Sequence, residues 1–194
     1  MLQQYVSDMI AVDRQILETV VQELNDEDVT KYPAVKSVME KIHKALVDEI
    51  SELDKQLYTL GGEREGRIKD TVTKIVGQLA GVASRTRGSR VSKALRDDYG
   101  GLNMAAVGYE MLHTTALGLN EKETADIALR HLTNIAPIIV ELNQVIPETV
   151  AKELQDEGKT VDPTVSREAV DNINSAWRVL SSLRLLGLSF HGMA

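Results

Sequence analysis

A chain of 194 residues, 43% of them hydrophobic, is long enough to bury a core, and no shift in composition divides it. It has no cysteine, which excludes disulfides, thiolate metal sites and cysteine nucleophiles and leaves carboxylates and imidazoles as the strong metal donors. A net charge of -7 and the presence of one Phe and one Trp argue against broad nucleic-acid binding and base stacking; no apolar run reaches the roughly 18 residues of a membrane span, so a cytoplasmic protein is expected.

From Tyr5 to Leu24 the residues Tyr5, Met9, Val12, Ile16, Val20 and Leu24 recur every three or four positions, which predicts a helix with one buried face. The polar run 25–28 ends it. Pro33 suits the first turn of the next helix, where the amide hydrogen it lacks would have no partner anyway. That helix carries Val35, Met39, Ile42, Leu46, Ile50, Leu53, Leu57 and Leu60 and stops at Gly61 and Gly62. The stretch 68–82, interrupted by Gly77 and Gly81, reads as a connecting helix. A third long helix is expected over 91–117, with Leu95, Leu102, Ala105, Tyr109, Leu112 and Ala116 on one face and small residues that permit close helix approach. After a turn at 118–120 the period resumes over 121–145, with a kink at Pro137, whose ring opposes the carbonyl four residues back. A short helix beyond Pro147, a turn around Gly158, Asp162 and Pro163, and a last helix capped by Ser166 and reaching about Leu188 complete the chain.

Two long helices with a short link, a connection of roughly 30 residues, and two more long helices with a short link describe an all-α, antiparallel four-helix bundle with one long crossover. The bundle is expected over 1–145, with a C-terminal helical extension over 146–194 packed on it.

Three segments carry a family likeness. The first-helix run Asp8-Met9-Ile10-Ala11-Val12-Asp13-Arg14-Gln15 resembles the opening helix of the bacterial stress-associated ferritin-like proteins. The end of the second helix, Glu52-Leu53-Asp54-Lys55-Gln56-Leu57-Tyr58-Thr59-Leu60-Gly61, is similar to their second, and Gly108-Tyr109-Glu110-Met111-Leu112 to their third. The resemblance covers residues 1–145. It implies a ferritin-like fold and an interior centre for iron or manganese, in which carboxylates bridge or chelate the ions and imidazoles complete coordination. It further implies oxidation of ferrous iron with oxygen or peroxide in a stress-related role.

Carried onto this chain, the candidate ligands are Asp13, Glu49, Glu110, His113 and His131. Two Glu-x-x-His pairs occur, Glu40 with His43 and Glu110 with His113, each spaced to share one helix face. Asp13 flanks the apolar stripe of the first helix, and Glu49 falls on the core side between Leu46 and Leu53, an unusual place for a carboxylate. Residues equidistant from a short turn share a height in an antiparallel hairpin, which puts Glu110 about level with His131, His113 with Asp126, and Asp13 near Glu49. The fourth helix departs from the family pattern: it reads Asp126 through His131 without a Glu-x-x-His pair, so the ligand set is incomplete. The site therefore reads as dinuclear, as mononuclear, or as a bundle interior with no metal.

The competing reading is a metal-free helical scaffold or partner protein, expected as a homodimer or small homo-oligomer. The last helix bears a broad apolar stripe through Val170, Ile173, Trp177, Leu180, Leu183 and Leu186 that suits packing on the bundle or on a second copy. The basic segment Arg85, Arg87, Arg90, Lys93 and Arg96 would attract phosphate, but Asp97 and Asp98 follow at once, and an ordinary solvated face is the stronger reading for it.

Overall fold

The computed structural model describes residues 1–62 and 90–185, with side chains as far as residue 177. Among them are six helices and no strand: α1 (Leu2–Leu24), α2 (Glu27–Thr30), α3 (Pro33–Thr59), α4 (Val91–Gly118), α5 (Lys122–Asp156) and α6 (Val165–Leu185). No described helix is long and apolar enough to cross a membrane. The expected connecting helix over 68–82, Arg85, Arg87 and the end of the last helix near Leu188 lie outside the described residues.

Local chemistry sets the ends. Pro33 occupies the first turn of α3, and Asp26 caps the single turn of α2 by accepting the Asp28 amide at 2.9 Å. α3 stops because Gly61 takes φ +79°, which lets the Gly62 and Gly61 amides close on the carbonyls of Leu57 and Tyr58. Asn120, at φ +59°, does the same for α4, one of the few side chains that tolerates this conformation.

The chain forms two compact units, Met1–Leu142 and Asn143–Ala194. In the first, α1 packs on α3 and on α4. Going along α1 from Met9 to Ile16, the facing residues of α4 run backwards from Gly108 to Gly101, so these helices are antiparallel. They approach closely because both contact positions lack a side chain: a Cβ at Gly108 would collide with the Met9 sulfur, and one at Gly101 would press on Ile16 at 3.2 Å. α3 and α5 are antiparallel as well, joined by Gln56 to Thr124, Glu52 to Arg130 and Lys41 to Glu141. α1 and α5 thus run one way and α3 and α4 the other, and Thr59 and Val91 lie towards opposite ends of α1. Val6, Ile10, Val38, Met39, Ile42, Leu46, Leu53, Leu95, Leu102, Leu112, Ile135 and Leu142 form a fully or nearly fully buried core.

Two expectations about the second half are corrected. α5 is one helix of 35 residues that passes through Pro137 and Pro147, rather than a helix ending at Val145 followed by a shorter one. Each proline deletes one hydrogen bond, to the carbonyls of Thr133 and Asn143, yet the helix continues past both; Ile138 and Leu142 are buried near the first proline, and Val145 and Ala151 near the second. The division between the two units falls at Asn143, whose carbonyl Pro147 leaves without its helical partner. Ser166 does not cap the last helix, because α6 already begins at Val165; the preceding turn is organised by Asp162, which accepts from the Thr164 amide and hydroxyl at 2.8 and 2.7 Å. Trp177 is exposed on α6.

Candidate functional site

A polar cluster lies inside the first unit, built from one residue on each of four helices. Asp13 of α1, Glu49 of α3, Tyr109 of α4 and His131 of α5 are each at most 1% exposed. Asp13 lies within the apolar stripe, not beside it: the buried face of α1 runs through Met9, Ile10, Asp13, Ile16 and Val20, and Val12, expected at its centre, is only half-buried. On α3 the buried series Leu46, Glu49, Leu53 and Gln56 likewise takes Glu49 in place of Ile50.

Tyr109 organises the cluster. Its hydroxyl donates to Asp13 Oδ2 at 2.5 Å and lies 3.5 Å from Glu49 Oε2, and its ring meets His131 edge to face with centroids 5.1 Å apart. His131 Nε2 lies 2.8 Å from Glu52 Oε2, so the proton belongs on Nε2 and the Nδ1 lone pair is left free. Arg130 grips the other Glu52 oxygen at 2.6 Å, and the Glu52 side chain, 37% exposed, reaches solvent. Within this cluster three buried atoms have no hydrogen-bond partner: Asp13 Oδ1, Glu49 Oε1 and His131 Nδ1.

Burial dominates the electrostatics. It pushes the Asp13 carboxyl up to about 7 against the opposing hydrogen bond from Tyr109. Glu49 is pushed up to about 9, first by burial and then by the neighbouring Asp13 charge. Burial and the two carboxylates drive the Tyr109 phenol well above its ordinary value, and burial holds the His131 imidazole below its own. Glu52 is affected by burial too, but the hydrogen bonds from Arg130 and His131 outweigh it and keep that carboxyl below the usual range.

Of the five residues singled out from the sequence, the fold brings Asp13, Glu49 and His131 to one interior region and leaves two elsewhere. Glu110 is exposed on the outer face of α4, and the half-buried His113 spends Nδ1 on the Ala125 carbonyl at 2.8 Å. Glu110 is about level with His131, as expected, but the side chain that faces His131 is Tyr109, because one step along a helix turns a side chain by about 100°. Asp126 and Glu40 are exposed, Glu40 lying 3.9 Å from Lys36. In the basic segment Arg96 pairs with Asp97 at 2.7 Å, as an ordinary solvated face does. Among the described residues no three His, Asp or Glu side chains stand close enough together to hold an ion as they are. Tyr109 and Glu52 were missed as site residues; the signal available was a tyrosine on the apolar stripe of one helix at the height of buried acids on two others.

Comparison of the chain with family models, curated proteins and solved structures finds no match.

Proposed function

We propose that this chain is a ferritin-like four-helix bundle of the cytoplasm whose interior binds a single divalent transition ion, iron or manganese, through Asp13, Glu49 and His131. The bundle assignment rests on the helix directions, with α1 and α5 opposed to α3 and α4 and one long connection between α3 and α4, the order expected of that topology. The ion-binding assignment rests on one observation: three buried atoms on three helices, Asp13 Oδ1, Glu49 Oε1 and His131 Nδ1, have no hydrogen-bond partner, and because they do not stand close enough together to hold an ion as they are, binding requires the cluster to rearrange around it. Buried acceptors are seldom left so, and an ion or water is the usual explanation.

The donor types suit the ion. Two carboxylates and an imidazole are hard and borderline ligands, and the contact of His131 Nε2 with Glu52 is the outer support that orients a metal-ligating imidazole. A dinuclear centre does not fit, because Glu110 points to solvent and His113 is bound to a backbone carbonyl. Bound iron would supply electron exchange between its ferrous and ferric forms, with oxygen or peroxide as oxidant. The protein's part is to hold the ion in a dry interior and to release the protons of Asp13 and Glu49 as it enters; the Tyr109 hydroxyl, which stands between the two carboxylates, has to give way.

Elemental mass spectrometry on protein loaded anaerobically with ferrous iron tests this reading. About one equivalent is expected, and it should be lost in Asp13→Ala and in Glu49→Ala but retained in Glu110→Ala. Metal retained in the first two variants, or none in the wild type, rejects the site.

The position of the Tyr109 hydroxyl favours a second reading, in which Asp13 and Glu49 remain protonated around it and the bundle is a metal-free scaffold that works through partners. In either case a homodimer is expected. Met104, Val107 and Met111 form an exposed apolar stripe on α4, and the stretch 99–119 around them contains only Glu110 and His113 as ionisable residues besides the tyrosines. Light scattering should give about twice the chain mass of 21.4 kDa, and Val107→Glu should halve it.

A further inference from the structure

The outward face of α4 has a regular pattern of its own. Gly100, Met104, Val107, Met111, Thr114 and Gly118 are all exposed, and they follow one another at alternating steps of four and three. That spacing keeps a row of side chains in line, as on a helix that pairs with another helix, over a length of about 27 Å. Its centre is apolar, with Val107 and Met111 about half exposed. Its ends are clear, since even a Cβ added at Gly100 or Gly118 would meet nothing of the chain within 4 Å. The two ends differ in charge. Lys93 and Arg96 are exposed just before the row, and Arg96 keeps 66% of its side chain in solvent beside Asp97. Glu121 and Glu123, with Lys122 between them, are exposed just after it, where the chain turns into α5.

We propose that this row is covered by α4 of a second copy running antiparallel to it. The proposal rests on the homodimer expected above and gives its geometry. A two-fold axis through the middle of the row sets position 100 of one chain level with 118 of the other, 104 with 114, and 107 with 111. The large apolar side chains then meet at the centre, and the glycines lie at the two rims. The basic start of each α4 comes beside the acidic turn that ends the other, and symmetry repeats that match at both ends. A parallel pair would set Lys93 and Arg96 against their own copies, and Glu121 and Glu123 against theirs, so that like charges opposed association at each end.

The chain has no cysteine, which makes the arrangement directly testable. Met104→Cys and Thr114→Cys both alter exposed positions; each is treated with a mild oxidant alone and after mixing with the other, and separated without reductant. A disulfide-linked dimer is expected from the mixture and from neither variant by itself. Linkage within either variant alone indicates parallel pairing and overturns the proposal, as does a mixture that stays unlinked while light scattering reports a dimer. Lys93→Glu with Arg96→Glu should weaken wild-type association about tenfold, and adding Glu121→Lys with Glu123→Lys in the same chain should restore it. An undiminished dimer in the first of these variants overturns the proposal as well. A wild-type chain that scatters as a monomer of 21.4 kDa places the failure in the homodimer reading itself.

Discussion

Tyr109→Ala is expected to destabilise the metal-free protein by about 4 kcal/mol, the scale of truncating a large aromatic in a packed core. The side chain is fully buried and touches elements of three other helices, through Asp13, Glu49 and His131, so its loss opens a cavity where no neighbouring group can follow. Tyr109→Phe isolates the hydroxyl. It keeps the ring and its contact with His131 but leaves Asp13 Oδ2 without its donor, and is expected to cost about 1–3 kcal/mol, as when one partner of a buried hydrogen bond is removed. The bond favours ionised Asp13, so the Phe variant should lose more at pH 8 than at pH 5. Urea unfolding at the two pH values measures both effects; a Phe variant as stable as the wild type at pH 8 would show that the hydroxyl does not stabilise the cluster.

The stability of the metal-free protein should fall as pH rises from about 7 to 9. Asp13 and Glu49 are protonated more readily in the folded chain than in the unfolded one, where carboxyls titrate near 3.8 and 4.5. Their contribution is complete below those ordinary values and is lost as pH climbs through the folded values of about 7 and about 9. Each excess proton held by the folded state corresponds to about 1.4 kcal/mol per pH unit, so the loss across this window is on the order of 2–3 kcal/mol and comes mainly from Glu49, most of the Asp13 contribution having been lost below pH 7. His131 opposes this only on the acid side: its folded value is depressed, so its contribution is present above its ordinary 6.5 and lost as pH falls below it. Glu52, also depressed, acts in the carboxylate range and is outside the window. Thermal or urea unfolding in chelator between pH 7 and 9 should show the decline, and Asp13→Asn with Glu49→Gln should flatten it. A wild-type profile that is level or rising across that range would mean the two acids are solvated in the fold.

The helices could be read from the chain because the signals that define them are local. Apolar residues at spacings of three and four, Pro33 at a helix start, and Gly61 and Gly158 at helix ends act through bonds between near neighbours, and the structure places α1, α3, α4 and most of α5 close to where those signals put them. The prolines of α5 were a local signal overruled from a distance. Pro147 by itself favours a break, but burial of Val145 and Ala151 on either side outweighs one missing hydrogen bond. Ser166 failed as a cap because Asp162 and Thr164 compete for the same turn a few residues earlier.

For the site, the sequence by itself determined the residue types, a chain without thiols whose interior chemistry falls to carboxylates, imidazoles and phenols, and it marked Glu49 as a carboxylate on a core face. Only the tertiary structure decided which of them meet. A rotation of about 100° per residue separates a buried side chain from an exposed one, and periodicity cannot resolve a single step at each of four helices at once. The close approach of α1 and α4 across Gly101 and Gly108 sets that step, turning Tyr109 inward onto Asp13 and Glu110 outward to water. Glu52 illustrates the same limit: on α3 alone it is a half-exposed acid, and it joins the interior to solvent because α5 brings His131 and Arg130 to its two oxygens.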